Sequence, residues 1–168
     1  MLSGAVKDQS RVDADGAIRR DLIAGVQLKE IRNVVTRNGV TTELYRFDWN
    51  LGTEAIGQAL HVALRGGAIS AWHCHEMQTD HIIAIHGAIR LVLYDARPAS
   101  HTLGKVDVFD LSPMRPLLIV VPPGIWHGIQ NLMPDTSAFA NFLDRAYDHG
   151  NPDEWRLPPD TGEIPYRF

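Results

Sequence analysis

At 168 residues, 45% hydrophobic and 21% charged, the chain has the size and composition of one globular domain, able to bury a core without disulfide staples. Its net charge of −4 and pI near 6.0 argue against the basic footprint of a nucleic-acid binder and the polybasic patch of a membrane-surface protein. A single cysteine, Cys74, rules out an intramolecular disulfide and points to a reducing, cytoplasmic compartment.

Residues 1–8 show no basic region ahead of a long apolar stretch, so no secretory leader is expected. No apolar run approaches the ~20 residues that a membrane helix needs. The region 17–39 is expected to supply N-terminal strand. From 40 to 49 the sequence V-T-T-E-L-Y-R-F-D-W is rich in β-formers and sets apolar Leu44 and Phe47 against polar Arg46 and Asp48, which predicts a strand. Further strands are predicted over 56–64, 68–75, 82–85, 88–94, 106–111, 117–121 and 137–143. Turn signals separate them at Arg65-Gly66-Gly67, His86-Gly87, Ala96-Arg97-Pro98, Ser112-Pro113 and Pro122-Pro123-Gly124. No amphipathic helix of useful length intervenes, so the pattern predicts an all-β sandwich or barrel. The last stretch, 148–168, holds four of the ten prolines and reads as an extended tail, either a packing strap or a contributor to a site.

The chemistry concentrates in histidines. His73 and His75 flank Cys74 on a predicted strand, where residues two apart share a face and both imidazoles can converge on one point. Cys74 then faces away, as a core residue. Asp80 follows five residues after His75, and His127 comes directly after the Pro-Pro-Gly turn. His61, His86, His101 and His149 fall in positions that imply no site role, and His81 is expected on the face opposite Asp80. Trp72 and Trp126 read as barrel packing.

Two stretches match the paired motifs of the cupin superfamily. Gly67, His73, His75, Asp80 and Gly87 fit G-x5-H-x-H-x(3,4)-E-x6-G, with Asp in place of Glu. Pro122, Gly124, His127 and Asn131 fit G-x5-P-x-G-x2-H-x3-N, with Pro116 at the leading glycine. The expectation is a single cupin domain over 1–168: a double-stranded β-helix or jelly-roll barrel with its core at about 40–145 and an extended C-terminal tail at 146–168. His73, His75, His127 and Asp80 would form a three-histidine, one-carboxylate shell for a divalent Fe, Mn, Ni or Zn ion. The same residues also suit proton transfer without metal.

Across most of its length the chain resembles the dTDP-4-dehydrorhamnose 3,5-epimerase family of cupins. The resemblance rests on Arg37-Asn38-Gly39 leading to Glu43, on Ala71-Trp72-His73, and on His86-Gly87 through Tyr94-Asp95. It continues in Val121-Pro122-Pro123-Gly124-Ile125-Trp126-His127-Gly128 and Leu143-Asp144-Arg145-Ala146-Tyr147, with a tail at 153–160 where the family closes its site. It implies a cytoplasmic homodimeric isomerase that moves protons next to the ketone of a nucleotide-linked 4-keto sugar through an enolate. By position, His73 matches the base and Asp160 its aspartate partner. Several family residues are replaced. Asn38 and Ser70 stand where two diphosphate-binding arginines are expected, the tyrosine acid near Ala140 is missing, and so is a lysine near Asp80. His75 and Asp80 are gained instead, and a metal there would take over the lysine's task of holding the enolate oxygen. If His73 binds that metal it cannot be the base, which would then be a bound hydroxide or Tyr147. Three readings follow: the epimerase, a metal-dependent cupin enzyme (oxygenase or isomerase) on another small molecule, and a non-catalytic sugar-binding cupin.

Overall fold

A computed structural model describes residues 2–7, 10, 12–16, 21–53 and 55–168. The expected N-terminal strand region begins at 17–20, which lie outside those residues. Strand β1 (Gln27–Glu30) opens the fold, and β2 (Asn33–Thr36) and β3 (Gly39–Thr42) form a separate hairpin. The chain continues through β4 (Gln58–Leu64), β5 (Ile69–Cys74), β6 (Asp80–His86), β7 (Ile89–Asp95), β8 (Val106–Leu111) and β9 (Leu117–Val121). It ends with β10 (Ile125–Asn131), β11 (Ser137–Leu143) and the two-residue β12 (Trp155–Arg156). These make two five-stranded antiparallel sheets, ordered β1-β9-β6-β11-β4 and β12-β5-β10-β7-β8, which pack as a cupin jelly roll.

Strand alternation sorts the apolar residues into three layers. Leu91, Leu93, Phe109, Ile119, Val121, Ile125 and Phe139 point between the sheets and fill the barrel. Ile83, Leu118, Val120 and Ala140 point out of the first sheet and are covered by Leu44, Tyr45, Trp49 and Leu51. Trp72 and Val92 point out of the second sheet and are covered by Ile164, Tyr166 and Phe168 of the C-terminal tail. Trp126 joins that third cluster, so both tryptophans beside the histidines pack away from the barrel interior.

Two stretches differ from the sequence pattern. The strand predicted over 40–49 stops at Thr42, and Phe47–Trp49 form a 3-10 turn. Consecutive Leu44 and Tyr45 both pack on the same outer sheet face, which a single extended strand would not allow. Strand β10, not among the predicted strands, starts immediately after the Pro-Pro-Gly turn and occupies the middle of its sheet, between β5 and β7. Among the described residues, no helix is long and apolar enough to cross a membrane.

Candidate active site

The barrel core fills one end of the jelly roll and leaves a cavity of about 580 Å³ at the other, a volume suited to a small-molecule ligand. Its walls follow from strand alternation. Asp80 and Ile82 face it from β6, Phe139, Asn141 and Leu143 from β11, and Gln58, Leu60 and Val62 from β4. His73 and His127 are directly paired across β5 and β10. Between that pair and Ile129–Ser70 the register slips by one residue, an irregularity that puts Ser70 on the cavity side together with His73.

His73 sits between two partners. Its Nδ1 lies 3.0 Å from Glu154 Oε1, and its Nε2 lies 3.1 Å from the Ser70 hydroxyl. A carboxylate only accepts, so Nδ1 carries the proton, and the hydroxyl donates to the lone pair of Nε2. Burial lowers the His73 pKa, with the Glu154 contact opposing it, so the ring is a neutral base at neutral pH. Glu154 is brought there by β12, whose Trp155 and Arg156 pair with Cys74 and His73. Arg156 also holds the Glu154 carboxylate, at 2.7 Å.

His75, Asp80 and His127 form a second group. One oxygen of Asp80, Oδ2, lies 3.4 Å from His75 Nε2 and 3.2 Å from His127 Nε2. Asp80 is 1% exposed and its other oxygen accepts the Gln78 amide at 2.8 Å. Burial disfavours its charge, but when the His127 and His75 rings carry a second proton and donate to it, those bonds outweigh burial and hold the carboxyl far below the ordinary range. The Nδ1 atoms of both rings face backbone carbonyls, those of Asp153 and Ile125. The Asp153 side chain meanwhile accepts the backbone N–H groups of Glu76, Met77 and Gln78 and ties the tail to that loop.

Of the residues singled out from the sequence, His73, His75, Asp80, His127 and Tyr147 all line the cavity. Atoms of His75, Asp80 and His127 lie within 4.8 Å of one another, whereas His73 stands outside this group with both nitrogens engaged elsewhere. Asp160 is exposed and does not line the cavity, so the carboxylate beside His73 is Glu154 instead. The sequence pattern points neither to Glu154 nor to Ser70 as a partner of His73. The pairing of β12 with β5 that delivers Glu154 has no local sequence signal. His81 is fully buried with Nδ1 against the Phe142 carbonyl and Nε2 against that of Leu51, a packing role on the outer sheet face. Cys74 is buried, and burial pushes its thiol up to about 11, which suits an inert core residue. Asn38 lies in the β2–β3 turn, away from the cavity.

The sequence pattern of the dTDP-4-dehydrorhamnose 3,5-epimerase family matches residues 21–161. The spore coat polysaccharide biosynthesis protein SpsL of Bacillus subtilis is 34% identical over 147 residues, covering 88% of this chain and 97% of that protein. A probable low-salt glycan biosynthesis epimerase of Haloferax volcanii is 30% identical over 139 residues, covering 82% of this chain and 89% of its own. Among solved structures, a dTDP sugar isomerase from Desulfovibrio desulfuricans superposes with a TM-score of 0.79 at 27% identity, covering 86% of this chain and 90% of that one.

Proposed function

The chain belongs to the dTDP-4-dehydrorhamnose 3,5-epimerase family, and from that premise we propose that it epimerises a nucleotide-linked 4-keto sugar by moving a proton at a carbon next to the ketone. The observation that carries this reading is the oriented, neutral imidazole of His73 in the cavity wall, held by Glu154 on one nitrogen and offering the other. A carbon beside a ketone is acidic because its anion is an enolate. His73 Nε2 takes that proton once the substrate displaces the Ser70 hydroxyl, and Glu154 stabilises the imidazolium that results. Reprotonation from the opposite face inverts the centre. The cavity-facing positions of β11 are Phe139, Asn141 and Leu143, none of them an acid of the right kind, which leaves Tyr147 to return the proton.

The nucleotide-linked form of the substrate is supported by charge. Arg145 and Arg156 line the cavity and are exposed, so two guanidinium groups are available to a diphosphate even though positions 38 and 70 are not arginine. A reduced Cys74 and a nucleotide-sugar substrate fit a cytoplasmic enzyme. The exposed valines of the β2–β3 hairpin, Val34, Val35 and Val40 at 56%, 82% and 61% exposure, suit the interface of a symmetric homodimer, which light scattering would detect.

The deciding experiment is solvent-deuterium exchange into dTDP-linked 4-keto sugars, followed by NMR. Deuterium entering a carbon next to the ketone, and failing to enter with a folded His73→Ala variant, is the expected result. Full exchange by that variant overturns the assignment of the base. Binding without exchange or turnover across the panel would make the protein a sugar-binding cupin.

A further inference from the structure

His75 and His127 share a hydrogen-bonding pattern that His73 does not. Each has both ring nitrogens facing oxygen atoms that only accept: a backbone carbonyl at Nδ1 and the carboxylate Oδ2 of Asp80 at Nε2. A neutral imidazole has one N–H to give. Once the Nδ1 protons go to the carbonyls of Asp153 and Ile125, two nitrogen lone pairs and a carboxylate oxygen point at one spot. Asp80 and His127 are 1% and 6% exposed, and the spot faces the cavity. A cation between the three atoms resolves their repulsion without any further proton. A histidine whose Nδ1–H is anchored on a carbonyl is also oriented as metal-binding histidines are, with Nε2 directed at the ion.

Two of the three donor separations fit as well. Donor atoms about 2.1 Å from a common ion sit roughly 3.0–3.5 Å from one another. The two nitrogen-to-oxygen separations here are 3.2 and 3.4 Å. We propose that His75, Asp80 and His127 bind a divalent first-row transition ion through His75 Nε2, His127 Nε2 and Asp80 Oδ2, with its remaining positions open to the cavity. Two imidazoles and one carboxylate suit Mn, Fe, Ni or Zn. His73 stays outside the shell, because Glu154 and Ser70 already satisfy its two nitrogens.

Base and metal thus occupy neighbouring residues without competing for one side chain. His73 and His127 stack with ring centroids 5.8 Å apart, so a bound ketone can lie against both. In the chemistry proposed above, on which this last point rests, the ion supplies the positive charge that favours an enolate oxygen. The lysine-free lining of the cavity offers no other cation beyond Arg145 and Arg156 among the described residues.

The test is metal content and binding in the full-length chain. Chelator-stripped protein titrated with Mn, Fe(II), Ni and Zn in turn, and then analysed by mass spectrometry for elements, is expected to take up about one ion per chain for at least one metal. His75→Gln and Asp80→Asn are expected to lose that ion, and His73→Gln to keep it. Co(II) loading adds a ligand-field spectrum that should vanish in the first two variants alone. Failure of all four metals to bind overturns the site, as does retention of the ion in both His75→Gln and Asp80→Asn or its loss in His73→Gln. Deuterium exchange separates this from the functional reading. An ion held by these residues with no exchange on any keto sugar leaves the site standing and removes the epimerase. Full exchange by protein shown to contain and bind no metal does the reverse.

Discussion

His73 Nδ1 and Glu154 Oε1 lie 3.0 Å apart although 81 positions separate the two residues in the chain. A two-residue strand makes this possible: β12 pairs with the end of β5, so residues 154 and 156 fall on the cavity side and Trp155 on the other. The tail is therefore both a strap, through Ile164, Tyr166 and Phe168 on Trp72, and a supplier of a group to the site.

The first prediction concerns that pair. His73→Ala should lower the rate of solvent exchange at the substrate by about 10³-fold, the usual contribution of a positioned general base. Glu154→Gln preserves size and one hydrogen bond but removes the charge that stabilises the imidazolium, and should cost about 10²-fold. Asp160→Asn should leave the rate near wild type, because Asp160 is exposed and away from the cavity. Exchange rates followed by NMR, with circular dichroism to confirm folding, check all three. A loss in Asp160→Asn equal to that in Glu154→Gln would reassign the partner.

Tyr147 separates the two halves of the reaction. If it returns the proton, Tyr147→Phe should still abstract a proton but complete the inversion about 10²-fold more slowly. Deuterium would then enter the substrate with retention, faster than the epimer appears. Equal loss of exchange and of epimer would place Tyr147 in binding instead.

Much of this is legible in the sequence. The two motifs put His73 and His75 two apart on a strand and His127 just after the Pro-Pro-Gly turn, and the cavity wall uses all three. The pairing of His73 with a carboxylate was legible in kind and not in identity. Place in the tail points to Asp160, whereas the position of Glu154 depends on where β12 docks, a tertiary contact of high sequence separation. Ser70 reaches the cavity only because β5 and β10 slip in register, and a strict period of two hides that. The run 40–49 reads as a strand because its β-formers serve to cover a sheet from outside.

The motif asparagine, Asn131, has a structural task. It is 2% exposed: the two N–H bonds of its amide are shared among the carbonyls of Leu64, Arg65 and Asp135, and its Oδ1 accepts from Met133 N–H and the Ser137 hydroxyl. Asn131→Asp would set a carboxylate against three carbonyl oxygens. The expected cost is about 3 kcal/mol or more, since buried groups lose partners and gain repulsion. Thermal unfolding should fall by about 10 °C for a domain of this length. A shift of under a degree would show that the loop between β10 and β11 holds without this side chain.

Acid stability should depend on Asp95. Its carboxylate is fully buried and accepts from Arg97 at 2.8 and 2.9 Å, from Ser100 at 2.5 Å and from Thr102 at 2.6 Å. Burial pushes its pKa up, but the bonds from Arg97, Ser100 and Thr102 outweigh burial and hold it well below the ordinary 3.8. A carboxyl with a depressed folded pKa contributes stability that is complete above its unfolded value and is lost as pH falls through the folded one. Asp95→Asn removes that contribution at every pH and leaves the Arg97 charge without its partner, which should cost about 3 kcal/mol near neutrality. Urea midpoints for wild type and variant should therefore differ most at neutral pH, and the gap should narrow steadily as pH falls below the ordinary 3.8, where the unfolded chain takes up a proton that the folded carboxylate still refuses. A gap of constant width across that range would mean that the loss in Asp95→Asn comes from packing and hydrogen-bond geometry, with the charge of Asp95 contributing nothing.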